Sequence, residues 1–308
     1  MIQTLSDIYL YSDIDGTLGI AGLGIPQRNR QAIARFVEKG GHFALCTGRG
    51  ITNIKPFVEG LPINADSVIG NGCAVYSFAE DRAHSVTYIP PQGEDYLREI
   101  LSQHREFGVL LINEEGYFIL KEEGRPDQCF SREFPRRTLE ELQGPYYKFL
   151  FVVPEEDAQQ VYEELKSRPY PGVDFVRSAL TSIEMLPHGV SKASAFLKLC
   201  KEQNIPIENT VFIGDFYNDR EMFLSAGLPT CVDTTPEDLI IPFPIPTPQC
   251  QHNSTQKSSA ATAALLFYCL NGNIFWRFGA APAYIPTKRP ESAKETKSSW
   301  ATMIWSSS

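Results

Sequence analysis

The chain lacks an excess of basic residues. Its 28 Lys and Arg residues are outnumbered by 37 Asp and Glu residues, which gives a formal net charge of -9 at pH 7. Proteins that collect nucleic acid or anionic membranes by charge need the opposite balance. The composition therefore predicts neither partner, and a phosphate ligand has to be held by local cations, a metal ion or backbone amides.

The sequence also lacks a C-x-x-C pair and long apolar runs, and it predicts no leader. The seven cysteines are scattered, odd in number and without a C-x-x-C pair, which favours a reducing cytoplasm as the location. Residues 1–12 have no basic start and no long apolar stretch, so no secretory signal is predicted. The longest apolar run, residues 260–270, is a helix candidate but falls far short of the roughly 20 residues that a membrane-spanning helix needs.

What is present is an alternation of strand and helix signals. A β-prone run at residues 8–11 ends at a pair of aspartates. A helix then opens at Pro26 and closes at Gly40 and Gly41, and a second strand covers residues 42–46. Strand, helix and strand in succession predict a parallel sheet with right-handed crossovers.

The chain is predicted to have an α/β fold, with a Rossmann-like parallel-sheet core and an inserted α+β cap domain. Residues 1–86 form the first part of the core and residues 87–181 the cap. Residues 182–239 form the second part of the core, which begins with a strand at residues 182–185. Residues 240–308 form an atypical, proline-rich tail that is expected to be largely disordered.

Two aspartates stand at the end of the first strand. Asp13 and Asp15 project to the same side because side chains alternate along a strand. Asp13 can attack a phosphorus atom while Asp15 protonates the departing oxygen and later activates water, provided that their surroundings hold different pKa values. Gly16 and Thr17 then allow a sharp exit from the strand.

A site for an anionic phosphoryl group also needs a hard cation and fixed hydrogen-bond donors. Asp215 follows a strand as Asp13 does, so in one parallel sheet these two carboxylates can share a magnesium ion. Lys192 stands at a helix start, where its ammonium group and the helix dipole can hold a phosphate oxygen. Thr47 and the amide of Gly48 are expected to bind the remaining phosphate oxygens.

Four ordered motifs resemble those of the haloacid dehalogenase superfamily. They are residues 13–18 (DIDGTL), residues 47–49 (TGR), Lys192 and residues 214–219 (GDFYND). Residues 70–72 (GNG), with an insertion between the second and third motifs, resemble the Cof-type branch (subfamily IIB), whose α+β cap closes over the substrate. The resemblance extends over residues 8–239, and an Asp at position 15 favours phosphoryl transfer over dehalogenation within that family.

The resemblance implies a role for each matching residue. Asp13 is the nucleophile, and Asp15 is the general acid and base. The implied ligands of Mg²⁺ are the side chains of Asp13 and Asp215 and the carbonyl of Asp15, whereas Asp219 is expected to orient its neighbours. The implied phosphate-binding residues are Ile14, Thr47, Gly48, Lys192 and Asn218.

The implied function is a magnesium-dependent phosphatase that hydrolyses small phosphorylated metabolites, with sugar phosphates favoured, through an aspartyl-phosphate on Asp13. Two alternatives stay open: a phosphomutase of the same fold, and a non-catalytic regulatory protein that binds a phosphate ligand. Substrate choice is assigned to the cap, where Lys148 and several arginines can meet a second anionic or sugar group of the substrate, although a solvated charged surface is the default expectation for most of them. Arg49 is expected either to pair with nearby acidic groups or to contact phosphate.

Overall fold

The computed structural model describes residues 4–20, 23–121, 134–142, 144–239 and 276–277. The predicted helix at residues 260–270 lies outside these residues, and so does the tail apart from residues 276–277. Within the described part of the chain, no helix is long and apolar enough to cross a bilayer.

The described residues contain six α-helices and fourteen strands, and the strands build three sheets. The helices, in chain order, are α1 (Gln27–Glu38), α2 (Ile51–Ile54), α3 (Gly93–Gln103), α4 (Ala158–Ser167), α5 (Lys192–Glu202) and α6 (Arg220–Ser225). The strands, in chain order, are β1 (Tyr9–Ser12), β2 (His42–Leu45), β3 (Ser67–Ile69), β4 (Ala74–Ser77), β5 (Arg82–Val86), β6 (Gly108–Asn113), β7 (Tyr117–Leu120), β8 (Arg136–Arg137), β9 (Tyr146–Val152), β10 (Val173–Ala179), β11 (Ser182–Pro187), β12 (Thr210–Gly214), β13 (Leu228–Val232) and β14 (Trp276–Arg277).

The core sheet has the order β14-β13-β12-β1-β2, with β1 between two parallel partners. Its outermost pair, β13 and β14, is antiparallel. Phe36 of α1 belongs to the cluster with Leu10 and Phe43 on one face, and Phe196 of α5 belongs to the cluster with Tyr11 on the other. Burial on both faces explains why these strands are continuous apolar runs, and the predicted parallel core is confirmed.

The end of α1 follows the prediction that Gly40 and Gly41 close the helix. The amide of Gly40 donates to the carbonyl of Val37 at 2.9 Å, and the amide of Gly41 donates to the carbonyl of Phe36 at 3.0 Å. Gly40 has a φ of +94°, in the left-handed region that favours glycine. These paired hydrogen bonds form a Schellman motif, which turns the chain directly into β2.

The six-stranded sheet has the order β10-β11-β9-β6-β7-β8 and is called the cap sheet. Leu97 of α3 and Leu165 of α4 share a buried cluster with Phe149 on one face of this sheet. Leu110 and Ile112 belong to a separate cluster formed from alternate positions of β6. Helices on a mostly antiparallel sheet are an α+β arrangement, so the predicted fold class is confirmed.

One predicted strand belongs to a different sheet. The sequence places residues 182–185 in the parallel core, but β11 pairs antiparallel with β9 and β10 in the cap sheet. Only two residues separate β10 from β11, and a parallel connection needs a dozen or more. The apolar run alone did not distinguish the sheets because β11 is buried in either assignment.

Replacement of Gly40 by Ala is expected to lower the free energy of unfolding by about 1–2 kcal/mol, because an L-residue is disfavoured in the left-handed conformation. Chemical denaturation of wild type and variant measures the loss. Gly40→Asn is the matched comparison and should lose less, since Asn tolerates this conformation. Equal stability of wild type and Gly40→Ala would contradict the motif.

Candidate active site

The first strand delivers a buried carboxylate to the end of the core sheet. β1 ends at Ser12, and the amide of Asp13 donates to the carbonyl of Ile213 at 2.8 Å, which ties Asp13 to the end of β12. Asp13 is 5% exposed. Gly16 follows with a φ of +78°, and a Cβ at this position would lie 2.2 Å from Oδ2 of Asp215. Glycine therefore lets the two acidic loops approach each other.

The side chain of Lys192 lies between two carboxylates. Its Nζ donates to Oδ1 of Asp13 at 2.9 Å and to Oδ1 of Asp219 at 2.7 Å. All three side chains are buried. Ser191 caps α5 by accepting the amide of Ser194, so Lys192 starts the helix at a fixed position. One ammonium group thus joins the end of β1 to the turn after β12.

Asp219 organises the turn that carries Asp215. Its Oδ2 accepts the backbone amide of Asp215 at 2.9 Å and that of Phe216 at 3.3 Å. Thr17 donates its hydroxyl to Oδ1 of Asp215 at 2.9 Å. The two hydrogen bonds of Asp219 hold the backbone of the turn, and the orienting role that the resemblance implies for Asp219 stays a prediction.

Three carboxylates converge here in a form suited to a divalent cation. Asp13, Asp215 and Asp219 each place one oxygen within 4.8 Å of the others. When all three carboxylates are ionised they carry three negative charges, and Lys192 offsets one of them. A divalent cation would neutralise the remaining two. Carboxylate oxygens are the ligands that Mg²⁺ prefers. The side chain of Asp15 lies outside this cluster, and its expected metal contact is through its backbone carbonyl.

Burial changes the acidity of two of these groups. It raises the pKa of Asp13 to about 7, although the charge of Lys192 acts in the opposite direction. It also raises the pKa of Asp215 to about 8, helped by the charges of Asp13 and Asp219 and opposed by the hydrogen bond from Thr17. Both groups therefore hold protons near neutral pH that a cation must displace.

Asp15 is engaged by Arg49. Nε of Arg49 donates to Oδ2 of Asp15 at 2.8 Å, and Nη2 donates to Oδ1 at 2.7 Å. The guanidinium group also lies 4.2 Å from the ring centre of Phe57. Burial opposes the charge of Arg49, but the hydrogen bonds and charge of Asp15 outweigh it and raise the pKa of Arg49. Two roles were expected for Arg49, and in the structure it pairs with an acidic group.

The loop after β2 is held from several directions. Thr47 is fully buried, and its Oγ1 accepts the amide of Arg49 at 3.2 Å. The amide of Asn71 donates to the carbonyl of Thr47 at 3.0 Å. Asn71 lies in the turn after β3, and a Cβ at the following Gly72 would lie 2.1 Å from the carbonyl oxygen of Ser191. This close approach brings the turn against the start of α5.

A polar chain connects this loop to the cap sheet. Asn218 donates through Nδ2 to Oδ1 of Asn71 at 3.0 Å, and Asn71 donates through Nδ2 to Oε2 of Glu184 at 2.7 Å. Lys148 donates to the same oxygen of Glu184 at 2.7 Å and to the carbonyl of Gly48 at 2.6 Å. Lys148 is buried in this ion pair, and is therefore an exception to the solvated surface expected for most charged residues of the cap. The sequence carries a signal for this burial, because Lys148 is the one charged residue of β9 and Glu184 is the one charged residue of β11.

The site therefore brings Asp13, Asp215, Asp219 and Lys192 into direct contact or close approach. Thr47, Gly48 and Asn218 are linked to it through Asn71 and the loop after β2. Ile14 is fully buried directly after Asp13. Which atoms bind phosphate stays a prediction.

Comparison with known proteins matches this chain to one family of hydrolases and to relatives that are named as phosphatases. A family model described as haloacid dehalogenase-like hydrolase matches residues 10–241. A 5-amino-6-(5-phospho-D-ribitylamino)uracil phosphatase of Bacillus subtilis is 24% identical over 70% of this chain and 80% of its own length. An HMP-PP phosphatase of Escherichia coli is 25% identical over 70% of this chain and 80% of its own length.

Solved structures share the fold at low sequence identity. A haloacid dehalogenase-like hydrolase from Bacteroides thetaiotaomicron has a TM-score of 0.64 and 23% identity, and the match covers 75% of this chain and 90% of that one. A sugar phosphatase of subclass IIB has a TM-score of 0.63 and 18% identity over 75% of this chain and 90% of that one. These matches support the parallel core with a separate cap.

Magnesium affinity is expected to fall by at least about tenfold between pH 8 and pH 6, because protons on Asp13 and Asp215 compete with the cation as the pH drops below their raised pKa values. Titration calorimetry across this range measures the change. Asp215→Asn removes one ligand and should bind magnesium more weakly at every pH. An affinity independent of pH would contradict the assignment of these carboxylates as ligands.

Proposed function

We propose a phosphatase function for this chain. The chain belongs to the haloacid dehalogenase-like hydrolases, because the model of that family matches residues 10–241. The proposed activity is magnesium-dependent hydrolysis of small phosphorylated metabolites through an aspartyl-phosphate on Asp13. The observation that carries this proposal is the contact of Asp13 with the buried ammonium group of Lys192, beside Asp215 and Asp219. Phosphoryl transfer to a carboxylate requires this combination of nucleophile, cation and metal ligands.

The first step transfers the phosphoryl group to Asp13. Because Lys192 binds Oδ1, we assign the attack on phosphorus to Oδ2. The bond from Oδ2 to phosphorus forms as the bond from phosphorus to the leaving oxygen breaks, and Asp15 gives its proton to that oxygen. The residues proposed to bind the other phosphate oxygens are Ile14, Thr47, Gly48, Lys192 and Asn218.

The second step releases phosphate. The Asp15 carboxylate takes a proton from water as the water oxygen attacks phosphorus, and the bond from phosphorus to Oδ2 of Asp13 breaks. A magnesium ion held by Asp13, Asp215 and the carbonyl of Asp15 would supply positive charge that reduces repulsion between nucleophile and phosphate. The cap is proposed to exclude bulk water during attack.

Asp15 has to leave Arg49 before it can act. Both oxygens of its carboxylate accept hydrogen bonds from that guanidinium group, so neither is directed at a leaving oxygen while the pair is intact. A phosphate ester is itself an anion that can take the place of Asp15 on the guanidinium group. Substrate binding is therefore proposed to free Asp15 for proton transfer to the leaving oxygen.

The substrate class is proposed from the relatives together with the site. The two curated relatives are named as phosphatases of a ribitylaminouracil phosphate and of HMP-PP, and one structural neighbour is titled a sugar phosphatase. These compounds are small and phosphorylated, so a metabolite panel is the right test, with sugar phosphates first. The cytoplasm is the proposed location, in keeping with the buried thiols of Cys46, Cys73 and Cys200, which form no disulfide.

Asp13→Asn is expected to lower magnesium-dependent hydrolysis of p-nitrophenyl phosphate by about 10⁴-fold or more, because the nucleophile is lost. Release of p-nitrophenol with magnesium and with a chelator measures the effect. Asp174→Asn is the matched control, since this half-exposed cap carboxylate contacts His188 and the amide of Gly189 but none of the residues assigned to the reaction, and its loss should not alter turnover. Full activity of Asp13→Asn, or no magnesium-dependent activity in the folded wild type, would contradict the proposal.

Asp15→Asn is expected to separate the two steps. p-Nitrophenolate leaves without much help from an acid, so the variant should release about one equivalent of p-nitrophenol rapidly and then stall, because no base activates water. Mass spectrometry should detect one added phosphoryl group on the chain. A phosphomutase would instead isomerise a sugar phosphate without net release of inorganic phosphate, which a parallel phosphate assay reveals.

A further inference from the structure

An ion pair from the cap sheet is buried against the phosphate-binding loops of the core. We propose that Lys148 and Glu184 are positioning residues that orient the expected phosphate ligands Thr47 and Asn218. The phosphate pocket is then complete only when the cap sheet is seated on the core. This inference rests on the proposed function, because it concerns the same phosphate site.

The pair is too deeply buried to be a surface contact. The side chains of Lys148 and Glu184 are 2% and 3% exposed, and their charged atoms are 2.7 Å apart. Burial opposes the charge of Lys148, but Glu184 and Tyr117 outweigh it and raise the pKa of Lys148, so the ammonium group stays protonated. A buried pair is costly to form, and apolar residues would serve the packing of two strands as well.

Lys148 acts on Thr47 through one peptide group. Its Nζ binds the carbonyl of Gly48, and the same peptide carries the amide of Arg49, which donates to Oγ1 of Thr47. Because a peptide group is planar, fixing the carbonyl of Gly48 also fixes the direction of the Arg49 amide. With one lone pair of Oγ1 occupied, the hydroxyl hydrogen of Thr47 is directed elsewhere and can be donated to a phosphate oxygen.

Glu184 acts on Asn218 through Asn71. An ionised carboxylate only accepts hydrogen bonds, so Asn71 must turn its NH₂ group toward Glu184 and its oxygen toward Asn218. Asn218 must then present its own NH₂ group to Asn71. The charge of Glu184 thus sets the direction of both amides, and the second hydrogen on Nδ2 of Asn218 is left as a donor for phosphate.

The two contacts come from neighbouring strands of one sheet. Lys148 lies on β9 and Glu184 on β11, which pair directly. The elements that they hold are separate core segments, namely the loop after β2, the turn after β3 and the turn after β12. A shift of the cap sheet would release all three segments together, which couples cap position to phosphate affinity.

The test is the binding of inorganic phosphate to the whole chain in the presence of magnesium, measured by calorimetry. Lys148→Met and Glu184→Gln are each expected to weaken binding by about tenfold or more, because an oriented hydrogen bond is lost in each. KM for p-nitrophenyl phosphate should rise by a similar factor while kcat changes less. Glu184→Gln keeps the shape of the side chain but can turn a donor toward Asn71.

A double variant separates positioning from stability. Lys148→Met/Glu184→Met removes both charges, so its Tm should recover relative to Lys148→Met, in which Glu184 is buried without its partner. Phosphate affinity should stay as weak as in the single variants. Recovery of both Tm and phosphate affinity in the double variant would overturn the proposal, since the pair would then serve only to hold the cap.

Ile119→Val is the matched control for loss of cap stability. Ile119 lies in the cap cluster with Leu110 and Ile112, and its replacement should lower Tm without changing phosphate affinity. A tenfold loss of affinity in this variant would overturn the positioning role, because any loosening of the cap would then suffice.

The same measurements distinguish this proposal from the proposed function. If the wild-type chain binds phosphate but does not hydrolyse esters, the proposed activity falls and the variant affinities still decide the positioning role. If hydrolysis occurs but the variants bind phosphate normally, only the positioning role falls. If the wild-type chain neither binds phosphate nor hydrolyses esters, both fall.

Discussion

The buried ammonium group of Lys192 is the interaction on which the site depends. It binds one oxygen of Asp13 and one of Asp219, so a single cation allows two carboxylates to lie inside the core. Asp219 then accepts two backbone amides of the turn that presents Asp215. The end of β1, the start of α5 and the turn after β12 are therefore joined at one charged group.

Much of this convergence is predictable because it follows from sheet topology. Asp13, Thr47 and Asp215 each follow a core strand, and the carboxyl ends of parallel strands meet at one edge of a sheet. Lys192 is placed by a helix start that the sequence also marks. Local patterns and one rule of topology were enough to collect these four residues, without any knowledge of their side-chain contacts.

Other features depend on pairings between distant segments. The sequence left two roles open for Arg49, because nothing local specifies that its guanidinium group meets Asp15, 34 positions away. A lone charge in an apolar strand indicates burial for Lys148, but not that its partner is Glu184. β11 was assigned to the wrong sheet for a similar reason, since an apolar strand does not carry the identity of its neighbours.

The insertion of the cap between two halves of the core also sets an order of events during synthesis. Thr17 and Asp215 are hydrogen-bonded but 198 positions apart, and β1 pairs with β12 along one of its two edges. A ribosome adding roughly 5–20 residues per second needs roughly 10–40 s to cover that distance. During this interval β1 lacks its partner β12, while the whole cap is made. The nascent chain therefore contains Asp13 early and Lys192, the cation that binds it, only after the cap has been made.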